Sequence, residues 1–386
     1  MGTEAVVALH GFAHGGEAVG RMPDGRVVFV AHALPGETVR VRITEQRKRW
    51  SRGVLVEVVT PSQDRVEPPC PYFGPGRCGG CRLQHIAPPR RRELLRQVVS
   101  DQLERLGGVP EPPVAAVVPA GEYGYRTRAR FAVTGDGHLA FRRHGSHDLI
   151  TVDRCLLLDE PTQALREAAG DDWAGHAEVE VRTGVEGGTV IADPPGRRGD
   201  ALVERVGGFD FRVGAGSFFQ SNREGAGHLL RLVREAAAVT KGDTALDLYA
   251  GVGLFARGLA ADGAAVTAVE GNRSSAADAE HNLAGLATVL HRPVDRALRR
   301  FVDRGERFTV VVADPPRDGA GRDVITAAAA VAQRTVVVVA CDPAALGRDT
   351  ATLRDAGWDL ARAVPVDQFA QTGHVEVVAT FRPALP

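Results

Sequence analysis

Four short, nearly uninterrupted apolar segments recur in the chain beyond Gly214, and they limit the fold more than any other feature. They cover residues 244–248, 265–270, 309–314 and 335–340. Buried parallel strands have this appearance because both of their faces are covered. Stretches of helical character lie between the segments, for example at 273–286 and 322–332. The alternation predicts a Rossmann-like, doubly wound α/β domain over residues 214–386.

The first 60 residues predict a different architecture, a small β-barrel. Short strand-like segments at 5–10, 26–31, 38–44 and 53–60 are separated by Gly and Pro. In the third segment Arg40 and Arg42 alternate with Val39, Val41 and Ile43, so alternate side chains should face solvent. With the nearby basic residues they would form one basic face, typical of a nucleic-acid module.

The formal net charge of −1 does not by itself call for a polyanionic partner. A second basic run, Arg90–Arg92, follows the first. Both runs are equally compatible with solvated surfaces, so the charge pattern alone leaves nucleic-acid binding open.

Residues 61–213 are expected to form a central, β-rich domain. Its first part, to Pro89, is rich in Pro and Cys, and a helix is predicted at 90–106. Alternating segments at 129–133 and 139–142 predict strands, and Asp193-Pro194-Pro195-Gly196 predicts a turn.

Five cysteines, an odd number, argue against a disulfide framework. No basic leader precedes an apolar core at the N-terminus, and no window approaches the roughly 18 apolar residues of a membrane span. We therefore expect a cytoplasmic protein without a membrane partner, whose cysteines are metal ligands, nucleophiles or core residues.

A cofactor site is predicted where the α/β strands end, because ligands bind beyond the carboxyl ends of such strands. The first strand runs into Asp247-Leu248-Tyr249-Ala250-Gly251-Val252-Gly253, and the second ends at Glu270, whose carboxylate can accept bonds from ribose hydroxyls. These features suit a dinucleotide oxidoreductase or an S-adenosylmethionine enzyme. The missing third glycine, and Asp314-Pro315-Pro316 at a later strand end, favour the methyltransferase.

Cys341 follows the apolar strand predicted at 335–340 and is a candidate nucleophile. The N-terminus of a following helix would favour its thiolate. Carbon 5 of a pyrimidine is a poor nucleophile, and thiolate addition at carbon 6 activates it. A base must then remove the carbon-5 proton. Glu376 is the candidate base, and His374 is the competitor.

Several segments together resemble the RNA uracil-5-methyltransferase family. They are Ser217-Phe218-Phe219-Gln220-Ser221-Asn222, the glycine loop from Asp247 to Phe255, Asp314-Pro315-Pro316-Arg317, Cys341-Asp342-Pro343 and the segment from Asp367 to Glu376. The resemblance implies that Cys341 is the nucleophile and Glu376 the base. It further implies a set of S-adenosylmethionine contacts: Gln220, Tyr249, Gly251, Glu270, Asp314 and, by the family's adenine-reading position, Asp295.

The same resemblance extends over nearly the whole chain. The N-terminal barrel looks like a TRAM domain, an RNA-binding relative of the oligonucleotide-binding fold. Residues 125–130 resemble a family element of the central domain that faces RNA, which implies that Arg128 contacts the substrate. Leu254 stands where many relatives have Asn, Ala250 where Cys is frequent, and Ala370 where Pro is usual. The Leu254 difference removes one polar contact to the cofactor's amino acid portion.

Four further cysteines form a predicted ligand set, namely Cys70, Cys78, Cys81 and Cys155. Spacing does not decide between zinc and an iron–sulfur cluster. The resemblance implies a [4Fe-4S] cluster of structural role, as in the ribosomal-RNA branch, although the gap from Cys70 to Cys78 is two residues longer than usual.

The sequence therefore predicts a monomeric enzyme that methylates carbon 5 of a uridine, in 23S ribosomal RNA in preference to transfer RNA. The alternatives are a transfer-RNA enzyme, a cytosine-C5 enzyme, and an inactive iron–sulfur protein that only binds RNA. The cytosine enzyme is disfavoured because only Cys341 is spare. The sequence does not name the target nucleotide or the number of sites.

Overall fold

The computed structural model describes residues 3–193 and 201–385. The turn predicted at 193–196 lies largely outside these residues, from Pro194 onwards. Within the described ranges, no helix combines the length and apolar character needed to cross a bilayer.

The N-terminal strands close into a barrel in the order β1-β2-β3-β5-β4. Their bounds are β1 Glu4–Phe12, β2 Ala18–Arg21, β3 Val27–Val30, β4 Thr38–Gln46 and β5 Trp50–Thr60. Val39 and Val41 are buried while Arg40 and Arg42 are exposed, as the alternation predicts. The sequence missed only β2. The barrel prediction is confirmed.

The basic face of the barrel is partly neutralised by its own carboxylates. Arg40 pairs with Glu57 at 2.9 Å, and Arg52 approaches Glu17 at 3.3 Å. Such exposed pairs contribute little to stability, but they reduce the positive potential available to a polyanion.

A five-stranded antiparallel sheet forms the centre of the chain, in the order β11-β10-β7-β8-β9. The elements that follow the barrel are α1 Pro88–Arg105, β6 Val118–Pro119, β7 Arg128–Val133, β8 Leu139–Arg142, β9 Leu149–Thr151, α2 Glu160–Ala169, β10 Glu178–Thr183 and β11 Gly188–Asp193. A two-stranded ribbon follows, β12 Leu202–Val206 with β13 Phe209–Val213. The predicted β-rich centre is present.

The C-terminal part is the predicted doubly wound domain, with sheet order β16-β15-β14-β17-β18-β20-β19-β6. Its elements are α3 Arg223–Ala237, β14 Thr244–Leu248, α4 Leu254–Ala261, β15 Ala265–Glu270, α5 Arg273–Asn282, β16 Ala287–His291, α6 Val294–Asp303, β17 Phe308–Ala313, α7 Arg322–Val331, β18 Ala332–Ala340, α8 Pro343–Asp355, β19 Trp358–Asp367 and β20 Glu376–Pro383. Strands β16, β15, β14, β17 and β18 run parallel to one another. Strand β20 pairs antiparallel with β18, and β19 pairs antiparallel with β20.

Helix α1 and strand β6 precede the central sheet in sequence but pack in the C-terminal domain. Leu94, Leu95 and Val98 of α1 share one apolar core with the α/β sheet, and β6 pairs with β19. The predicted central segment, 61–213, is therefore not one unit in space, because α1 and β6 pack with the C-terminal α/β sheet.

The Arg90–Arg92 run is not a solvated basic face. The Arg91 side chain is fully buried, and its Nη2 donates to Asp367 Oδ2 at 2.7 Å and to Glu122 Oε2 at 2.6 Å. Arg92 also bonds to Glu122. The run therefore joins α1 to the end of β19.

Replacing Arg91 with Met should lower the free energy of unfolding by about 3 kcal/mol, because the buried Asp367 would lose its charge partner. Urea denaturation followed by tryptophan fluorescence measures this. Arg90→Met is the matched control, since Arg90 only approaches Asp64 at 3.6 Å and should change stability by less than about 1 kcal/mol. Equal effects of the two variants would contradict a structural role specific to Arg91.

Candidate active site

A cleft of about 490 Å³ opens at the carboxyl ends of β14, β15, β17 and β18. That volume is in the range of small-molecule sites. Seven of the residues predicted from the sequence line it together, namely Gln220, Tyr249, Gly251, Glu270, Asp314, Cys341 and Glu376.

The glycine loop after β14 has the backbone of a ligand cradle. Tyr249, Gly251 and Gly253 have φ of 60°, 57° and 96°, and a Cβ at Gly253 would lie 2.9 Å from Leu283. Glu270 fixes the loop, because one carboxylate oxygen accepts from the Gly251 N–H at 2.8 Å. Its other oxygen accepts from the Asn272 N–H at 2.6 Å.

Two carboxyl groups, those of Asp314 and Glu376, line the cleft, and the carboxyl group of Asp247 is fully buried near Asp314. Burial raises the pKa of Asp314 to about 7 and that of Asp247 to about 8. It also raises the pKa of Glu376 well above its usual value, and the charge of Asp314 adds to this shift. Asp314 and Glu376 are thus close enough for the charge of one to affect the ionisation of the other.

Cys341 is half-buried directly after β18. Burial, and then the charges of Glu376 and Asp314, raise the pKa of its thiol to about 12, while Arg317 acts in the opposite direction. The expectation that a helix N-terminus would favour the thiolate stays a prediction. The first N–H groups of α8 are occupied by the Asp342 carboxylate, which accepts from Ala344 and Ala345 at 2.9 Å.

Glu376 and His374 differ in the way they are held. Glu376 is 4% exposed, and in the described part of the chain its Oε2 has no hydrogen-bond partner. His374 Nδ1 lies 2.9 Å from Arg317 Nη2, and burial and the Arg317 charge lower its pKa to about 4. A neutral imidazole bound to a guanidinium is already engaged as an acceptor, so Glu376 is the better-placed base.

Residues of the barrel and of the central segment 61–213 hold the segment that carries these two residues. The backbone N–H groups of Arg82 and Leu83 donate to Gln371 O at 2.8 and 3.1 Å. The hydroxyl of Tyr125 donates to Ala370 O at 2.9 Å. A Cβ at Gly373 would lie 2.4 Å from Gly15 O of the barrel, so the two backbones are in close contact.

Gln368 is a buried residue that the sequence did not single out. Its Nε2 donates to Gln220 Oε1 at 3.1 Å, which leaves the Gln220 amide nitrogen to donate elsewhere. The close approach of the Gln368 amide to Gly225 leaves no room for a side chain there, since a Cβ would lie 1.5 Å from Oε1. No sequence signal pairs two glutamines that are 148 positions apart.

Replacing Gln368 with Met should raise the KM for the cofactor about five- to tenfold, because Gln220 loses the bond that orients its amide. The value of kcat at saturating cofactor should change less than about twofold. Thermal unfolding should not shift downward, since Met fills a similar volume without a buried amide oxygen. An unchanged KM would refute a positioning role for Gln368.

The two remaining predicted contacts lie outside the base of the cleft. Asp295 is in the first turn of α6, where it pairs with Arg299 at 3.1 Å, and it is not among the residues that line the cleft. Arg128 Nη2 bonds to Glu180 at 2.6 Å, and its guanidinium lies over Phe218, 5.8 Å from the ring centroid. Phe218 is 58% exposed and lines the cleft, so Arg128 is at its rim.

The other four cysteines line one separate cavity, together with Gly80, Phe141 and other residues. Burial raises the pKa of Cys81 to about 12 and raises those of Cys78 and Cys155. Across the described ranges, no group of three or more Cys, His, Asp or Glu side chains is arranged so that it could hold a metal ion. The thiols therefore share a cavity but do not converge on one point.

Comparisons with known proteins agree with this architecture. Residues 2–56 match the TRAM domain. A Streptomyces avermitilis protein described as an uncharacterized RNA methyltransferase is 38% identical over 100% of this chain and 99% of its own length. The 23S rRNA (uracil(1939)-C(5))-methyltransferase RlmD of Chromohalobacter salexigens is 33% identical over 96% of this chain and 87% of its own.

A solved structure has the same fold over almost the full length. It is the Pyrococcus abyssi tRNA (uracil-54, C5)-methyltransferase in complex with S-adenosyl-L-homocysteine, with a TM-score of 0.75 and 23% identity. The alignment covers 97% of this chain and 99% of that one.

Proposed function

We propose, from the premise that the chain belongs to the RNA uracil-C5 methyltransferase family, that it transfers a methyl group from S-adenosylmethionine to carbon 5 of a uridine in RNA. The observation that carries the proposal is the shared cleft of Cys341, Glu376 and the glycine loop. A nucleophile and a base in one site are what carbon-5 substitution requires.

The cleft residues fit S-adenosylmethionine. The carboxylate of Glu270 lies beside the glycine loop, where it would accept bonds from ribose hydroxyls. A Cβ at Gly251 would meet nothing within 4 Å, so the loop leaves room for a ligand. When bound, the cofactor supplies an electrophilic methyl group on a positive sulfur.

In the proposed reaction the Cys341 thiol gives its proton to solvent, its Sγ bonds to carbon 6 of the uracil, and the π electrons of the ring double bond shift towards oxygen 4. These electrons return through carbon 5 to form its bond to the methyl group, while the old sulfur–methyl bond breaks with its electron pair left on sulfur, so that S-adenosylhomocysteine is the leaving group. Glu376 takes the proton from carbon 5, the double bond re-forms, and the electron pair of the S–C6 bond returns to sulfur. The charge of Asp314 raises the pKa of the Cys341 thiol, whereas the charge of Arg317 lowers it.

Tritium release tests the function directly. RNA transcribed with uridine labelled at carbon 5 should release one tritium into water for each methyl group incorporated. Methyl transfer without release would place the methyl on another atom and contradict the proposal. Release from carbon-5-labelled cytidine RNA instead would identify a cytosine enzyme.

Ribosomal RNA is the proposed substrate, in preference to transfer RNA. Support comes from the RlmD relatives, which act on 23S rRNA by their names. Mass mapping of both RNA classes from a strain that lacks the protein should show 5-methyluridine missing from 23S rRNA alone. A loss confined to transfer RNA would reverse the assignment.

We further propose that Cys70, Cys78, Cys81 and Cys155 hold a [4Fe-4S] cluster. Four thiols that line one cavity are the donor set of such a cluster. Protein purified without oxygen should be brown and contain iron and sulfide. Cys78→Ser should lose both, whereas a colourless parent containing zinc would contradict the cluster.

A further inference from the structure

A second opening, of about 310 Å³, lies on the surface beside the cysteine cavity. We call it the basic groove, and it is lined by Gly79, Gly80, Arg82, Phe141, Arg142, Arg143, His144 and Gly145. The groove and the cysteine cavity share Gly80 and Phe141.

The positive charge of the basic groove is poorly compensated. Arg82 donates to Gly15 O at 2.9 Å and Arg143 to Gly76 O at 2.7 Å, so both bond to neutral carbonyls. Among the ion pairs of the described residues, neither has a carboxylate partner. Arg142 only approaches Glu178, at 3.7 Å, and its side chain is 52% exposed. Within the part of the chain that the structure describes, Arg82 and Arg143 therefore have no neutralising carboxylate, unlike Arg40 and Arg52 of the barrel, which pair with glutamates.

Basic side chains connect the groove with the catalytic cleft. Arg317 lines the cleft and contacts His374. The charge of Arg82 reaches His374 and also His144 of the groove, since it helps to lower the pKa of both. The backbone of Arg82 is bonded to Gln371 in the segment that leads to Glu376. A negatively charged strand leaving the cleft would therefore meet a basic path towards the groove.

We propose that the basic groove binds backbone phosphates of the single-stranded RNA segment that flanks the target uridine. The proposal rests on the proposed function for the identity of the strand. Arginine is suited to the task because its planar guanidinium can bond two phosphate oxygens at once. The open groove offers charge without a deep apolar pocket, as expected for contacts that position a strand and do not read its bases.

The test is RNA binding by the full-length protein without cofactor, measured by fluorescence anisotropy with a labelled single-stranded RNA over a range of salt concentrations. The R142Q/R143Q variant should bind about tenfold more weakly and should have a salt slope smaller by roughly 1 to 1.5. In methylation assays its KM for RNA should rise by a similar factor, with kcat and cofactor KM unchanged.

Three further variants control for folding and for charge. R142Q alone keeps the Arg143 bond to Gly76 and should still lose about threefold in affinity. R142K/R143K retains both charges and should keep most of the binding. Arg231→Gln removes an exposed charge on α3 that pairs with Glu235 and should bind like the parent.

Unchanged affinity in R142Q/R143Q would overturn the proposal, as would an equal loss in R142K/R143K. Competition by polyglutamate as effective as by RNA would also overturn it, in favour of an acidic protein partner. Groove-dependent RNA binding without tritium release would leave the groove assignment standing while the proposed function fails. Tritium release with the same KM for RNA in R142Q/R143Q as in the parent would overturn the groove assignment while the proposed function stands.

Discussion

Cys341→Ala should reduce methyl transfer to uridine at least about 1,000-fold, because the ring then lacks the covalent activation that makes carbon 5 nucleophilic. Cofactor affinity should be nearly unchanged, since the cradle of Tyr249, Gly251 and Glu270 stays intact. Tritium release and cofactor titration measure the two effects on the same preparation.

A mechanism-based trap gives this prediction a positive readout. RNA containing 5-fluorouridine has no proton to lose at carbon 5, so the parent should form an RNA adduct that survives a denaturing gel. The band should be absent with Cys341→Ala. An equally strong band in that variant would exclude Cys341 as the nucleophile.

Glu376→Gln should trap the adduct on natural RNA, because an amide cannot accept the carbon-5 proton. Methyl transfer should stop after one event per enzyme, and the covalent band should appear without any fluorinated base. The substitution should not destabilise the fold, since it replaces a buried carboxyl whose Oε2 is unbonded in the described structure.

Glu376→Asp is the matched control, because it keeps a carboxylate and should turn over slowly without accumulating adduct. The pH profile supplies a second check. Since burial raises the pKa of Glu376, its basic form is lost as pH falls at a higher pH than for an exposed carboxyl. Turnover should therefore fall earlier on acidification, and rapid turnover by Glu376→Gln would rule the residue out as the base.

The catalytic sheet was predictable because its strands are buried on both faces. The segments at 244–248 and 265–270 coincide with β14 and β15, and those at 309–314 and 335–340 overlap β17 and β18. Their carboxyl ends meet at one edge, so residues as distant as Glu270 and Cys341 were placed in one cleft by topology alone.

Long-range pairings were not predictable from local pattern. Nothing in the sequence of residues 88–105 shows that this helix returns to the α/β core, or that Arg91 is buried against Asp367. The helix N-terminus behind Cys341 was expected to lower the thiol pKa, but its donors are taken by Asp342. The partner of a buried charge or of a helix N–H group depends on which side chains the fold brings next to it.

The close contact between Gly373 and Gly15 means that the barrel packs directly against the C-terminal domain. The loop that leads to Glu376 rests against the barrel on one side and against the cysteine-bearing segment on the other. A catalytic domain transplanted without its N-terminal neighbour would lose part of the wall that shapes this loop. Substitutions that probe the barrel should therefore leave the Gly15–Gly16 turn as it is.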